Sequence, residues 1–237
     1  MNPAKTMKKI ALIDNETNCF LCNNCLKQWI PAILSHKKNF KFKKGETIFK
    51  EGDPVTGIYF VNTGIVKVHK RWGEEKELIV RFANEGTILG HRGLGGSDAT
   101  YPISATALGP GIVGYVDMDF FETTLTTNNE FTQKLMLLFA GELRESEKKM
   151  RNQTHMPVKG RVAEALITLK NQFGLTEKGF INIELSRQDL ASFVGANYET
   201  VFRMINELVQ EKLLILSGKS IAISSDEALL KLINDSI

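Results

Sequence analysis

Hydrophobic and polar positions change their spacing along the chain. Between residues 40 and 116, short runs at 58–61, 65–69, 78–82, 103–108 and 112–116 alternate apolar with polar side chains, and glycines at 45, 52, 57, 64, 73, 86, 90, 109 and 111 punctuate them. Short period-two runs parted by glycine turns predict an antiparallel sandwich or barrel. From Asp119 the spacing turns helical. Phe131, Leu135, Leu138 or Phe139, Glu142 or Leu143, Ser146 and Met150 fall near heptad spacing, and residues 127–129 cap this longer piece. A helix of about 22 residues reaches roughly 33 Å. An apolar seam of that length covers itself with a partner helix, with the chain's own sheet domain, or with each along different stretches.

The remainder, 154–237, mixes short elements. Pro157 breaks the long helix. A helix then runs from Gly160 to Phe173 with Val162, Leu166 and Leu169 inward, and Gly174 closes it. Residues 180–184 read as a strand, 213–216 and 220–224 as a hairpin around Ser-Gly-Lys, and 226–233 as a last helix capped by Ser225 or Asp226. Between them, 186–211 reads as two helices joined by a sharp turn. Ser186 and Asp189 make a capping box, Gly195 suits the left-handed end of the first helix, and Asn197 suits the start of the second. In that second helix Val201, Ile205, Leu208 and Val209 share one side, and Glu199, Arg203, Asn206 and Gln210 the other. The polar stripe can reach base edges: arginine grips the acceptor edge of guanine, and glutamate accepts from the cytosine amino group. Tyr198 and Thr200 stand in the first turn, where hydroxyls and backbone N–H groups meet phosphates. The plainer alternative is an exposed helix with an ordinary Glu199/Arg203 pair.

Composition narrows little. The chain has 237 residues and a net charge of +3, which neither demands nor excludes nucleic acid. No apolar run approaches the roughly 20 residues that span a bilayer, and the first 18 residues lack an apolar signal core. A cytoplasmic protein is expected, in which lasting disulfides are rare. There is no Ser/His/Asp spacing, phosphate-cradling loop or obvious acid pair, so no enzyme is expected.

Ser-Arg-Gln-Asp-Leu-Ala, Val-Gly and Glu-Thr-Val-x-Arg resemble the helix-turn-helix of the Crp/Fnr transcription regulators. Upstream, Phe-x-x-Gly-Glu-x-Ile-x-x-Glu-Gly-Asp-Pro and Ile-Tyr-Phe-Val-x-x-Gly-x-Val-Lys-Val resemble that family's cyclic-nucleotide-binding β-roll, so the resemblance covers the chain from about Phe40. It implies an α+β chain: an arm at 1–39, an antiparallel, jelly-roll-like β-roll at 40–117, a dimerisation helix at 118–153 and a winged helix at 154–237. It further implies a homodimer on a near-palindromic operator in double-stranded DNA, with RNA polymerase as a further partner and no membrane. Glu199 and Arg203 would read bases. Tyr198 and Phe202 stand where members vary in operator preference. Arg187, Thr200 and Lys219 would hold phosphates.

In the roll, the effector pocket maps onto Gly90, His91, Arg92, Ser104 and Ser146. The family's ribose-binding glutamate is replaced by His91 and its phosphate-gripping arginine by Ile103. One of two adenine-contacting hydroxyls remains, at Ser146, and Glu147 replaces the other. A cyclic phosphate needs a cation or several N–H donors, so these replacements argue against cyclic AMP, although Arg92 could meet an anion from another angle. His91 is a candidate haem ligand, although a lone histidine is more often hydrogen-bonded or at the surface. His69 and His155 read as solvent-side residues.

All three cysteines, Cys19, Cys22 and Cys25, lie in CFLCNNC. Thiolates at this spacing can hold zinc or an iron–sulfur cluster. The oxygen-sensing branch of the family carries four such cysteines. Its fourth aligns here with Gly114, which leaves a non-cysteine donor such as His36. Trp29, Ile30, Ile33 and Leu34 predict a short helix docking on the roll. The cluster also supports a reading of another class, a redox or metal-binding protein without gene regulation.

Overall fold

The computed structural model describes residues 8–10, 19–73, 76–95 and 99–236. The chain divides into two compact units, 1–141 and 142–237.

The first unit is two antiparallel sheets. Strands β1 (Lys8–Ile10), β2 (Lys38–Phe42), β4 (Gly57–Thr63), β7 (Ile88–Leu89) and β9 (Gly111–Asp117) form one, in the order β1-β2-β9-β4-β7. Strands β3 (Thr47–Phe49), β5 (Val66–Trp72), β6 (Lys76–Ala83) and β8 (Ser104–Ala107) form the other, in the order β3-β8-β5-β6. Their inward residues, among them Phe42, Phe49, Tyr59, Val66, Tyr101, Ala105 and Val113, make one core. Gly64 turns β4 into β5 at φ 89°, and a Cβ there would stand 2.9 Å from the Pro110 carbonyl oxygen. Both the turn and the close approach require glycine.

One departure from the sequence reading has a local cause. His69 is buried, not solvent-side, because the β5–β6 register shifts between Val68 and His69 and puts consecutive residues inside. Its Nε2 lies 2.9 Å from the Thr106 hydroxyl and its Nδ1 2.9 Å from Glu77. The docking helix expected at 29–34 is there as α2 (Ile30–His36), which with α1 (Phe20–Asn24) buries Ile33 and Leu21 in a second core beside the sheets, and β1 pairs with β2.

The helical segment breaks once, at the buried Asn128. Helix α3 (Met118–Thr127), capped by Asp117, precedes it, and α4 (Asn129–His155) follows. Phe131 and Leu135 of α4 are buried in the core that holds α1, α2 and α3. Beyond them Met136 (62% exposed), Leu143 (60%) and Met150 (65%) recur every seven residues in the open. The division between units falls inside α4 because its first turns pack on the roll, whereas Lys148 and Asn152 bond Glu164 of the second unit.

In the second unit, α5 (Val158–Phe173) begins after Pro157. Helices α6 (Arg187–Val194) and α7 (Tyr198–Gln210), hairpin strands β10 (Leu214–Ser217) and β11 (Ser220–Ile223), and α8 (Asp226–Asn234) follow. The strand expected at 180–184 is not there. Ile181, Ile183 and Leu185 are buried alternately, but the Ile183 N–H turns back to the Ile181 carbonyl, and one isolated bridge joins Leu175 to Ile181. Alternate burial needs only an extended chain, not a ladder partner.

Candidate nucleic-acid interface and effector pocket

Helices α6 and α7 are made by the signals their residues carry. The Ser186 hydroxyl accepts from the Asp189 N–H at 2.9 Å and donates to the Asp189 carboxylate at 2.5 Å. Gly195 takes φ 71°, ψ 44°, and its N–H donates to the Ala191 carbonyl, closing α6. Asn197 stands at the N-cap of α7, but its side chain makes no capping bond, contrary to expectation. The first-turn N–H groups of α7 therefore gain no side-chain partner from Asn197 and can meet an anion.

Val201, Ile205 and Leu208 bury one side of α7, so its opposite side faces out. Glu199 and Arg203 are exposed there, and no ion pair joins either to another described residue. Beside them Tyr198 and Phe202 stack with centroids 6.0 Å apart and planes 5° apart, both exposed. Thr200 is half-buried in the first turn of α7.

The wing is the two-residue turn Gly218–Lys219 between β10 and β11, with Lys219 exposed at its tip. Arg187 is committed to it, its guanidinium donating to the Gly218 carbonyl at 3.0 Å and the Lys219 carbonyl at 3.4 Å. Burial pushes its pKa down, yet arginine stays charged. The phosphate role read for Arg187 thus shares its side chain with a structural one that the sequence did not disclose.

The effector-pocket residues divide. Gly90, at φ 85°, opens a short turn holding His91 and Arg92, and a Cβ there would stand 3.0 Å from the Tyr101 ring. His91 is buried, edge-on to Phe139 of α4 with centroids 5.2 Å apart. A haem at His91 would have to displace that ring. Ser104 accepts the Glu51 N–H at 2.9 Å, Ile103 is buried in the apolar core, and Ser146 lies on α4 in the second unit. What sequence reasoning missed is the aromatic filling. Phe49 stacks on Tyr101 at 4.2 Å, Tyr59 meets Tyr115 at 5.0 Å, and the Tyr101 and Tyr115 hydroxyls donate to the Gly57 and Thr56 carbonyls, each at 2.7 Å. Burial pushes the Tyr101 phenol up to about 12 and raises Tyr59 and Tyr115 as well, so all three stay neutral. Four aromatics close in sequence to glycine turns were the available signal.

The cysteines do not fit a metal centre as placed. The Cys19 and Cys22 sulfurs stand 2.9 Å apart, whereas two thiolates on one tetrahedral zinc stand about 3.8 Å apart. Cys25 is only half-buried and makes no sulfur–sulfur contact. His36 stacks on Phe120 at 4.2 Å, and the space a Cβ at Gly114 would need is taken by the Lys37 side chain, at 2.3 Å. Among the described residues no group of three or more His, Cys, Asp and Glu side chains is placed to hold a metal ion.

Family models match both units: the cyclic nucleotide-binding domain over 39–128 and the Crp-like helix-turn-helix domain over 160–232. The anaerobic regulatory protein of Bacillus subtilis is 30% identical over 185 residues, 76% of this chain and 78% of that protein. This chain belongs to the Crp/Fnr family of transcription regulators. As a Crp/Fnr regulator it is a DNA-binding protein with a cyclic-nucleotide-binding-like domain. The CRP-like cAMP-activated global transcriptional regulator of Mycobacterium tuberculosis is 27% identical, over 84% of this chain and 90% of that one. The structure of FixK2 from Bradyrhizobium japonicum superposes with a TM-score of 0.74 at 26% identity, covering 83% of this chain and 96% of that one. No helix among the described residues of this Crp/Fnr chain is long and apolar enough to cross a membrane.

Proposed function

We propose that this regulator binds a near-palindromic operator as a homodimer, with α7 of each protomer in a major groove. What carries the reading is the outward, unpaired placement of Glu199 and Arg203 one turn apart on a helix whose other side is buried. Arg203 grips guanine and Glu199 accepts from cytosine, which favours a G·C pair at the centre of each half-site. Tyr198 and Phe202 present apolar surface to the neighbouring base pairs. Thr200, the first-turn N–H groups of α7, Lys219 and the remaining donors of Arg187 hold phosphates, which position without specifying. The seam of Met136, Leu143 and Met150 supports the dimer, since an apolar row at heptad spacing is covered by a matching helix. Two half-sites about one DNA turn, roughly 34 Å, apart would then be read together.

The β-roll acts as the sensor, and its effector is not cyclic AMP. Supporting this, His91 is packed against Phe139 and Ile103 is sealed in the core, so neither can supply the groups a cyclic phosphate needs. A regulator so built influences transcription through where it seats beside RNA polymerase.

The test is a gel-shift titration against operators selected from a random duplex pool. Arg203→Ala should abolish sequence preference while leaving a folded dimer of wild-type size. Sequence preference that survives in this variant would overturn the assignment of α7 as the reading helix.

A further inference from the structure

The cysteine pair is the feature that DNA binding leaves unexplained. Cys19 immediately precedes α1, and its sulfur accepts the Cys22 N–H at 3.2 Å and stands 2.9 Å from the Cys22 sulfur. A disulfide needs about 2.05 Å between sulfurs, so less than 1 Å of approach separates this dithiol from a bond. A metal would require the opposite movement, drawing the sulfurs apart and bringing in donors that the described residues around them do not offer. Both sulfurs are buried in the core that also holds Phe121, Phe131 and Leu135, so a bond formed here would repack the residues that seat the start of α4.

We propose that Cys19 and Cys22 form a reversible intramolecular disulfide and that hydrogen peroxide, a water-sized oxidant, is the reagent suited to reach them. Burial of the pair argues against a bulky disulfide as oxidant. The Cys19 thiolate attacks one peroxide oxygen, the O–O bond breaks, and hydroxide leaves Cys19 as a sulfenic acid. The Cys22 sulfur then attacks the Cys19 sulfur, the S–O bond breaks, and the Cys22 proton leaves with the hydroxyl as water. In sum two thiols and one peroxide give one disulfide and two waters, the two thiols being oxidised and the peroxide reduced. The surroundings support this division of roles. Cys19 stands at the N-cap of α1, where its sulfur accepts the Cys22 N–H at 3.2 Å and lies near the charge of the buried Lys37, a setting that favours its thiolate as the attacking group. Cys25 is half-buried and makes no sulfur–sulfur contact, so it stays outside the couple. A reducing compartment returns the pair to the dithiol, the transient use that disulfides have there.

This inference stands apart from the reading of α7, and its test uses no DNA. Full-length protein purified without oxygen is treated with hydrogen peroxide, alkylated, digested and mapped by mass spectrometry. The expected result is loss of two alkylatable thiols of three, a linked Cys19–Cys22 peptide, an alkylated Cys25 and full return of all three thiols with dithiothreitol. Cys25→Ser should preserve the cross-link. All three thiols remaining alkylatable, a link through Cys25 or between chains, or bound zinc or iron that blocks alkylation of all three until it is chelated, would each overturn the proposal.

Discussion

The guanidinium of Arg187 holds the carbonyl of Gly218 at 3.0 Å, so the first residue of α6 fixes the tip of the wing. Arg187→Ala should cost about 1 kcal/mol in urea unfolding, the net worth of a typical hydrogen bond, since both bonds lie at an exposed site. Amide exchange at Gly218 and Lys219 should quicken. An arginine that served phosphates alone would leave both measurements unchanged.

The two sides of α7 should separate stability from recognition. Ile205 is fully buried, and Ile205→Ala should destabilise by about 2–5 kcal/mol. Glu199→Ala, on the exposed side, should change stability by no more than about 0.5 kcal/mol while relaxing the choice of base opposite it. Thermal unfolding paired with operator selection reads both.

The exposed row on α4 predicts an oligomer-breaking substitution. Leu143→Lys sets like charges facing across a two-fold seam. Analytical ultracentrifugation should show monomers, and operator affinity should fall by roughly a hundredfold as the second half-site is lost. A dimer of unchanged stability would place the interface elsewhere.

Acid should act on the β5–β6 network. Burial works against the Glu77 carboxylate, but the hydrogen bonds from His69 and Lys67 outweigh it and lower its pKa from the ordinary 4.5 to about 2. A carboxylate depressed in the folded state stabilises fully above its unfolded pKa, and that contribution fades as pH falls from about 4.5 toward about 2. The stability gap between the wild type and Glu77→Gln, followed by denaturant unfolding, should therefore shrink across that window.

The amino-acid sequence alone determined five strands of the roll, the long helical segment, α5 to α8, the wing hairpin and which side of α7 is apolar. These follow from period-two and helical spacing and from residues such as Ser186, Gly195 and Gly218 that impose their own backbone geometry within a few positions. Motif resemblance added the family. Only the tertiary structure decided what depends on neighbours distant in sequence. A one-residue register shift carried His69 inside. The chain at 180–184 turned back on itself and formed one isolated bridge instead of a strand. Arg187 was claimed by carbonyls 31 and 32 residues away. Phe131 and Leu135 were taken by the roll, leaving Met136, Leu143 and Met150 open. The cysteine spacing allowed a metal centre or free thiols. Packing beside Lys37 and Phe131 set two sulfurs 2.9 Å apart and left the third aside, because burial and side-chain reach are properties of the folded chain.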